Sequence, residues 1–219
     1  MSYNYKSISN NPEERQRVIY PYCFWENAFS NEEIDKICKQ MADLPLSEGQ
    51  ISSKPDEAES DNFTPTPTMN DNVRRSKVSF HTPSENTQWI FDRLNSVIEL
   101  INNRWYNFDI NGYDQFQYSE YHSTNNGCYG WHSDLFLGPL PNNSYAETRK
   151  LSLTLLLSDP DTDFEGGELQ FGHETTAESA KIKKGTLILF PSFELHQVTP
   201  VTKGVRKSIV VWILGPKWK

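Results

Sequence analysis

After Tyr106 the chain changes texture, and that change sets the narrowest limit on what it can fold into. Seven short runs rich in β-branched and aromatic residues follow one another, YDQFQYSEYH, CYGWHSDLF, KLSLTLLLS, GGELQF, GTLILFP, HQVTPV and KSIVVWIL, with turn-forming residues between them. So many short strands within about 110 residues predict a β-sandwich, a jelly roll or a barrel. Two helical stretches precede them, an α+β order. In FWENAFSNEEIDKICKQMADL, Ser30 stands three before Glu33 as in a capping box, and Ile34, Ile37, Cys38 and Met41 share one helical face. In TQWIFDRLNSVIELINNRWY, Ile90, Leu94, Val97, Ile98 and Ile101 repeat at the same period.

The expected plan is one domain over residues 1–219, with helical support at about 22–106 and a strand-built core at about 107–216. RRSKVSF reads as a short strand ahead of the second helix. Residues 43–72 differ from both flanks, carrying seven acidic residues against one lysine amid Ser, Pro and Thr. Such a stretch buries too little apolar surface to order itself and reads as a mobile loop. It is either a solvated linker or an acidic lid that closes over a basic peptide.

An aromatic content of 13% marks a folded chain rather than a disordered one. The formal net charge of -8 speaks against non-specific nucleic-acid binding, which wants a basic face. Cys23, Cys38 and Cys128 are odd in number and form no CxxC pair, so reduced thiols and a cytoplasmic setting are expected. No run is apolar and long enough to serve as a signal peptide or a membrane span.

Chemistry concentrates in two places. In GCYGWHSDLF, His132 and Asp134 lie two apart at a strand or its end, where alternate side chains share a face. By themselves they could be a hydrogen-bonded pair, a catalytic dyad or two thirds of a metal site. In FPSFELHQVTPVTKGVRKSIVVWILGP, His196 precedes Arg206 by ten residues across TPVTKG, read as a turn, and Arg206, Ser208, Val210 and Trp212 share one face of the next strand. A guanidinium entering so apolar a strand needs an anionic or polar partner. His-x-Asp followed by a distant His is the ligand order of the two-histidine, one-carboxylate site that leaves positions open on non-heme Fe(II). An arginine just beyond suits a bidentate grip on a dicarboxylate.

From about Gln117 to Trp212 the sequence resembles the 2-oxoglutarate- and Fe(II)-dependent dioxygenases of the prolyl 4-hydroxylase-like, PKHD type. The text that carries the resemblance is YGWHSD, LSLTLLLSDPDTDFEGGELQF and GTLILFPSFELHQVTPVTKGVRKSIVVWI, with a looser likeness in FWENAFSNEEIDKIC. The resemblance implies a double-stranded β-helix (jelly-roll) core with the N-terminal helices packed on one sheet. It implies His132, Asp134 and His196 as iron ligands, with Arg206 on the far carboxylate of 2-oxoglutarate, assisted by Ser208 and Tyr121. The cofactors implied are Fe(II), 2-oxoglutarate and dioxygen, and ascorbate is compatible as a further one. The reaction implied is hydroxylation of an amino-acid side chain, prolyl first, in a peptide, protein or free amino acid, with release of succinate and carbon dioxide. Oxidative demethylation of a nucleic-acid base on the same core and a non-catalytic metal-binding jelly roll are the competing readings.

The remaining candidates have plainer expectations. Tyr129, Trp131 and Trp212 either pack around the iron pocket or fill the core, with core as the default reading. Glu165 to Glu168 form a glycine turn, His122 is structurally bonded or solvent-facing, and Cys128 packs. Arg74, Arg75 and Lys77 read as a solvated strand edge rather than a substrate contact.

Overall fold

The computed structural model describes residues 20–53, 66–135 and 147–218. In chain order its elements begin with β1 (Cys23–Trp25), α1 (Asn31–Ala42), β2 (Ser47–Glu48), β3 (Ile51–Ser53), β4 (Thr66–Thr68), β5 (Arg74–Arg75), β6 (Lys77–His81) and α2 (Gln88–Ile101). Strands follow: β7 (Phe116–His122), β8 (Cys128–His132), β9 (Glu147–Leu156), β10 (Phe164–Gly166), β11 (Leu169–Phe171), β12 (Glu178–Ser179), β13 (Leu187–Pro191), β14 (His196–Val198) and β15 (Val201–Pro216).

The strands form two main sheets, the arrangement of a jelly roll with helices against one of them. The larger runs β1-β13-β9-β15-β7-β6-β2, with β10 also laddered to β15, and the smaller runs β12-β11-β14-β8-β5. Period-two alternation in the long strands gives the larger sheet two different faces. Leu151, Leu153 and Leu155 of β9 and Ile209, Val211 and Ile213 of β15 join the core that also holds Ile34, Ile37, Leu94 and Ile101 of the helices. Their neighbours in sequence, Thr154, Ser208, Val210 and Trp212, turn the other way and line a cavity. Tyr121, Leu156, Phe171, Phe190 and Val198 form a second core on that inner side, between the sheets. The helices therefore stabilise the sheet by burying its apolar face, which frees the inner face to carry polar groups.

Both expected helices form. Ser30 Oγ accepts from the Glu33 amide and Glu33 returns the bond to the Ser30 amide, completing the capping box. The second helix ends sooner than its sequence suggests. Its α-helical part stops at Ile101, Asn102–Tyr106 make a π-helical turn, and Asn107 closes it at φ 52°. Asparagine tolerates that left-handed conformation.

Two expectations about loops are corrected. TPVTKG is not a six-residue turn: β15 begins at Val201, because Val201–Gly204 ladder with Phe164–Gly166 of β10. The acidic stretch 43–72 is not loop throughout, since β2 pairs with β6 and β3 pairs with β4. Its central residues, 54–65, lie outside the described residues, and with them the middle of the supposed lid. No described helix is long and apolar enough to cross a membrane.

Candidate metal centre

β8 and β14 are neighbours in the smaller sheet, and their ladder sets His132 directly opposite His196. The two imidazoles lie 4.2 Å apart, centroid to centroid. Asp134 follows two residues after the end of β8 and turns its buried carboxylate between them. Oδ1 is 3.7 Å from His132 Nε2 and Oδ2 is 3.6 Å from His196 Nε2. Those separations are too long for hydrogen bonds. Each imidazole instead uses its Nδ1, which donates to a backbone carbonyl two residues back: Gly130 at 2.8 Å for His132 and Glu194 at 2.9 Å for His196. Fixing the proton on Nδ1 leaves an Nε2 lone pair on both rings aimed at the Asp134 carboxylate. One ligand atom from each of the three residues lies within 4.8 Å of the others, the set a divalent ion needs.

Charge states agree with that arrangement. Burial, helped by the neighbouring His196, lowers the His132 pKa to about 4 against the pull of Asp134, so the ring stays neutral. Burial alone would raise Asp134, yet His196, His132, Arg149 and a hydrogen bond from Ser152 together hold it below the ordinary carboxylate value. Ser152 is tied in turn to Ser192, with both Oγ atoms fully buried and 2.9 Å apart. Tyr129 stacks on His132 at 3.6 Å and 14°, and Phe190 meets His196 edge-on at 4.7 Å. Two aromatic walls thus hold the imidazoles in place.

Arg206 enters the same cavity from β15. It is 2% exposed, and its Nη1 donates to Ser208 Oγ at 3.1 Å. Tyr121 pairs with it across the β7–β15 ladder, and the guanidinium carbon lies 5.6 Å from that ring centre. Burial lowers its pKa, and Tyr121 opposes the shift. Among the described residues no carboxylate pairs with it. Gly167, at φ 59°, makes room for it, since a Cβ there would meet Val201 Cγ2 at 2.8 Å and Arg206 Cδ at 3.0 Å. All six residues singled out from the sequence, His132, Asp134, His196, Arg206, Ser208 and Tyr121, therefore converge on one cavity.

Several lining residues were misread or missed. Tyr129 and Trp212 face the cavity rather than filling the core. Arg74 is no solvated edge: it is 6% exposed, lines the cavity, and stacks at 4.7 Å over Tyr129. A signal for it existed, because Arg74, Ser76 and Val78 are all buried at period two, the same alternation that exposes Arg206 and Ser208 to view. His122, by contrast, is held by Glu120 at 2.8 Å, as a structural histidine should be.

Residues 116–214 match the model of the 2OG-Fe(II) oxygenase superfamily. A PKHD-type hydroxylase of Teredinibacter turnerae is 44% identical over 89 residues, which cover 41% of this chain and 38% of the relative. The chain thus spans well under half the length of that relative. Among solved structures, a Pseudomonas putida prolyl-4-hydroxylase superposes with a TM-score of 0.62 at 16% identity, covering 90% of this chain and 94% of the other. A prolyl hydroxylase from Trichoplax adhaerens, in complex with a hypoxia inducible factor oxygen degradation domain peptide fragment, gives 0.64 at 18% identity, covering 93% and 86%. At such identities these two structures establish the fold, the double-stranded β-helix.

Proposed function

We propose that this chain, whose residues 116–214 match the 2OG-Fe(II) oxygenase superfamily and are similar to a PKHD-type hydroxylase, is such an oxygenase and hydroxylates an amino-acid side chain, prolyl first, releasing succinate and carbon dioxide. The observation that carries the reading is the pairing of two unlike demands in one cavity. Two imidazoles and a carboxylate offer a divalent ion three donors from one side, and a buried guanidinium without a carboxylate partner faces the same space. Bound Fe(II) supplies dioxygen activation coupled to oxidative decarboxylation of 2-oxoglutarate.

The chain's own residues do the rest. His132, Asp134 and His196 hold the ion, with both Nδ1 anchors fixing the ring planes so that no reorientation is needed on binding. Arg206 receives the far carboxylate of 2-oxoglutarate, and Ser208 and Tyr121 flank it. Leu169, Phe190 and Val198 give the cavity apolar walls that exclude water from the reacting centre. Prolyl chemistry is favoured by the two prolyl hydroxylases of the same fold, one of them holding a peptide. Free amino acids remain within the class.

The test is succinate formation by purified protein with Fe(II) and 2-oxoglutarate, with and without proline-containing peptides and free amino acids. Iron-dependent succinate that rises with such a substrate, together with a mass gain of one oxygen on it, is the expected result. Succinate stimulated only by an alkylated oligonucleotide would establish the demethylase instead. No turnover with any of them would leave a metal-binding jelly roll.

A further inference from the structure

Iron and 2-oxoglutarate do not use all the positive charge this cavity holds. Arg74 has five N–H donors, and three are taken: Nε by Ser76 Oγ at 2.8 Å, Nη1 by the Gln50 carbonyl at 2.9 Å and Nη2 by Gln117 Oε1 at 3.4 Å. All three acceptors are neutral, so its charge is uncompensated among the described residues. Arg149 lies beside the site, and Asp134 offsets its charge. Its guanidinium carbon lies 4.3 Å from the Trp212 ring centre, and Nη1 reaches the Asp134 carbonyl at 3.5 Å. Trp212 lines the cavity with a buried Nε1–H that has no acceptor among the described residues.

Asp134 is the one carboxylate among the described lining residues. Fe(II) and doubly charged 2-oxoglutarate offset each other. Among the described residues that line the cavity, Arg74 and Arg206 against Asp134 therefore leave an excess of one positive charge. A chain of formal net charge -8 does not acquire such a cavity from a basic composition. Buried charge left unpaired is costly, so the cavity is built for a further anion.

We propose that the molecule oxidised here carries a carboxylate, held by the free N–H groups of Arg74, with Trp212 Nε1 donating a further hydrogen bond. This rests on the oxygenase reading for the identity of the other two ligands, and it names the substrate class that reading leaves open. The carboxylate belongs to a free amino acid, a peptide C-terminus or an Asp or Glu side chain next to the modified residue. It is the opposite of the basic peptide that an acidic lid would suit.

The experiment is equilibrium binding to the full chain loaded with Mn(II) and 2-oxoglutarate without dioxygen, read by calorimetry, so that no turnover is needed. Probes come in matched pairs: proline and prolinamide, one proline peptide with free and amidated C-terminus, and another with Asp or Asn beside the proline. A single-stranded oligonucleotide is the anionic control. At least one acid should bind about tenfold tighter than its amide, R74M should abolish that preference, and W212F should reduce it. R74K should keep part of it, and R75M, at the neighbouring outward position, all of it. W212F keeps an aromatic ring and removes a donor with no acceptor among the described residues, so it gives a folded test even if R74M does not fold. Equal affinity of acid and amide in every pair, no acid bound at millimolar concentration, or tightest binding by the oligonucleotide would each overturn the proposal. Absence of succinate formation by the iron-loaded protein would instead sink the oxygenase reading and leave the binding result standing.

Discussion

Two Arg-x-Ser pairs face each other across the inner space of this protein, and they are built differently. Arg206 on β15 makes one hydrogen bond, to Ser208, and is otherwise open to the cavity. Arg74 on β5 also bonds to the serine two residues on, but it reaches Gln50 and Gln117 as well. Through Gln50 it ties the start of the acidic segment to the wall that carries Tyr129 and, stacked on it, His132. One arginine is almost entirely a ligand group. The other is both ligand group and fastener, so the same substitution at the two sites should separate binding from stability.

The largest effect is expected at Arg206. R206M should raise the 2-oxoglutarate KM by roughly a hundredfold or more, since a buried charge-assisted grip on a carboxylate is worth about 3 kcal/mol. Its folding stability should stay level or rise by about 1 kcal/mol, because an apolar side chain replaces an unpaired buried charge. R74M should do the reverse. Three stranded acceptors cost about 2–4 kcal/mol in a denaturant titration, while the 2-oxoglutarate KM of substrate-free turnover moves only a few-fold. Similar KM and stability changes in both variants would erase the distinction between the two pairs.

Gly167 sharpens the same contrast from the side of Arg206 alone. In G167A the added Cβ presses on Arg206 Cδ and Val201, and the residue is held at φ 59°. Stability should fall by about 1–2 kcal/mol from the backbone alone. The 2-oxoglutarate KM should rise several-fold, and the substrate KM should not. A separate effect concerns pH. His132 is depressed to about 4 in the metal-free fold, whereas an unfolded histidine titrates near 6.5. Between those values the unfolded chain binds a proton that the folded chain refuses, so metal-free stability should decline as pH falls through that window. H132N should flatten that slope, as seen in melting temperatures taken across the range.

The contrast between the arginines also explains what the sequence disclosed. Arg206 was legible because it stands in a long apolar strand, where a charge is conspicuous and period two assigns its face. The metal ligands were legible for a related reason: a two-residue spacing at the end of β8 keeps His132 and Asp134 together whatever the rest of the chain does. Arg74 hid among Arg75 and Lys77, which read as solvent-facing, and its burial depends on β5 pairing with β8, a ladder that links residues more than fifty positions apart. Arg149 was silent because only the fold brings it beside Trp212. The start of β15 was misread because Gly204 and Pro200 look like turn residues, and only the β10 ladder makes that stretch a strand.

Anaerobic titration of the full chain with Fe(II), and then with 2-oxoglutarate, goes most directly to the convergence of His132, Asp134 and His196 opposite Arg206. One iron per chain should bind, H196A should lose it, and R206M should keep the iron while losing affinity for 2-oxoglutarate. Iron bound equally well by H196A, or 2-oxoglutarate bound equally well by R206M, would contradict it.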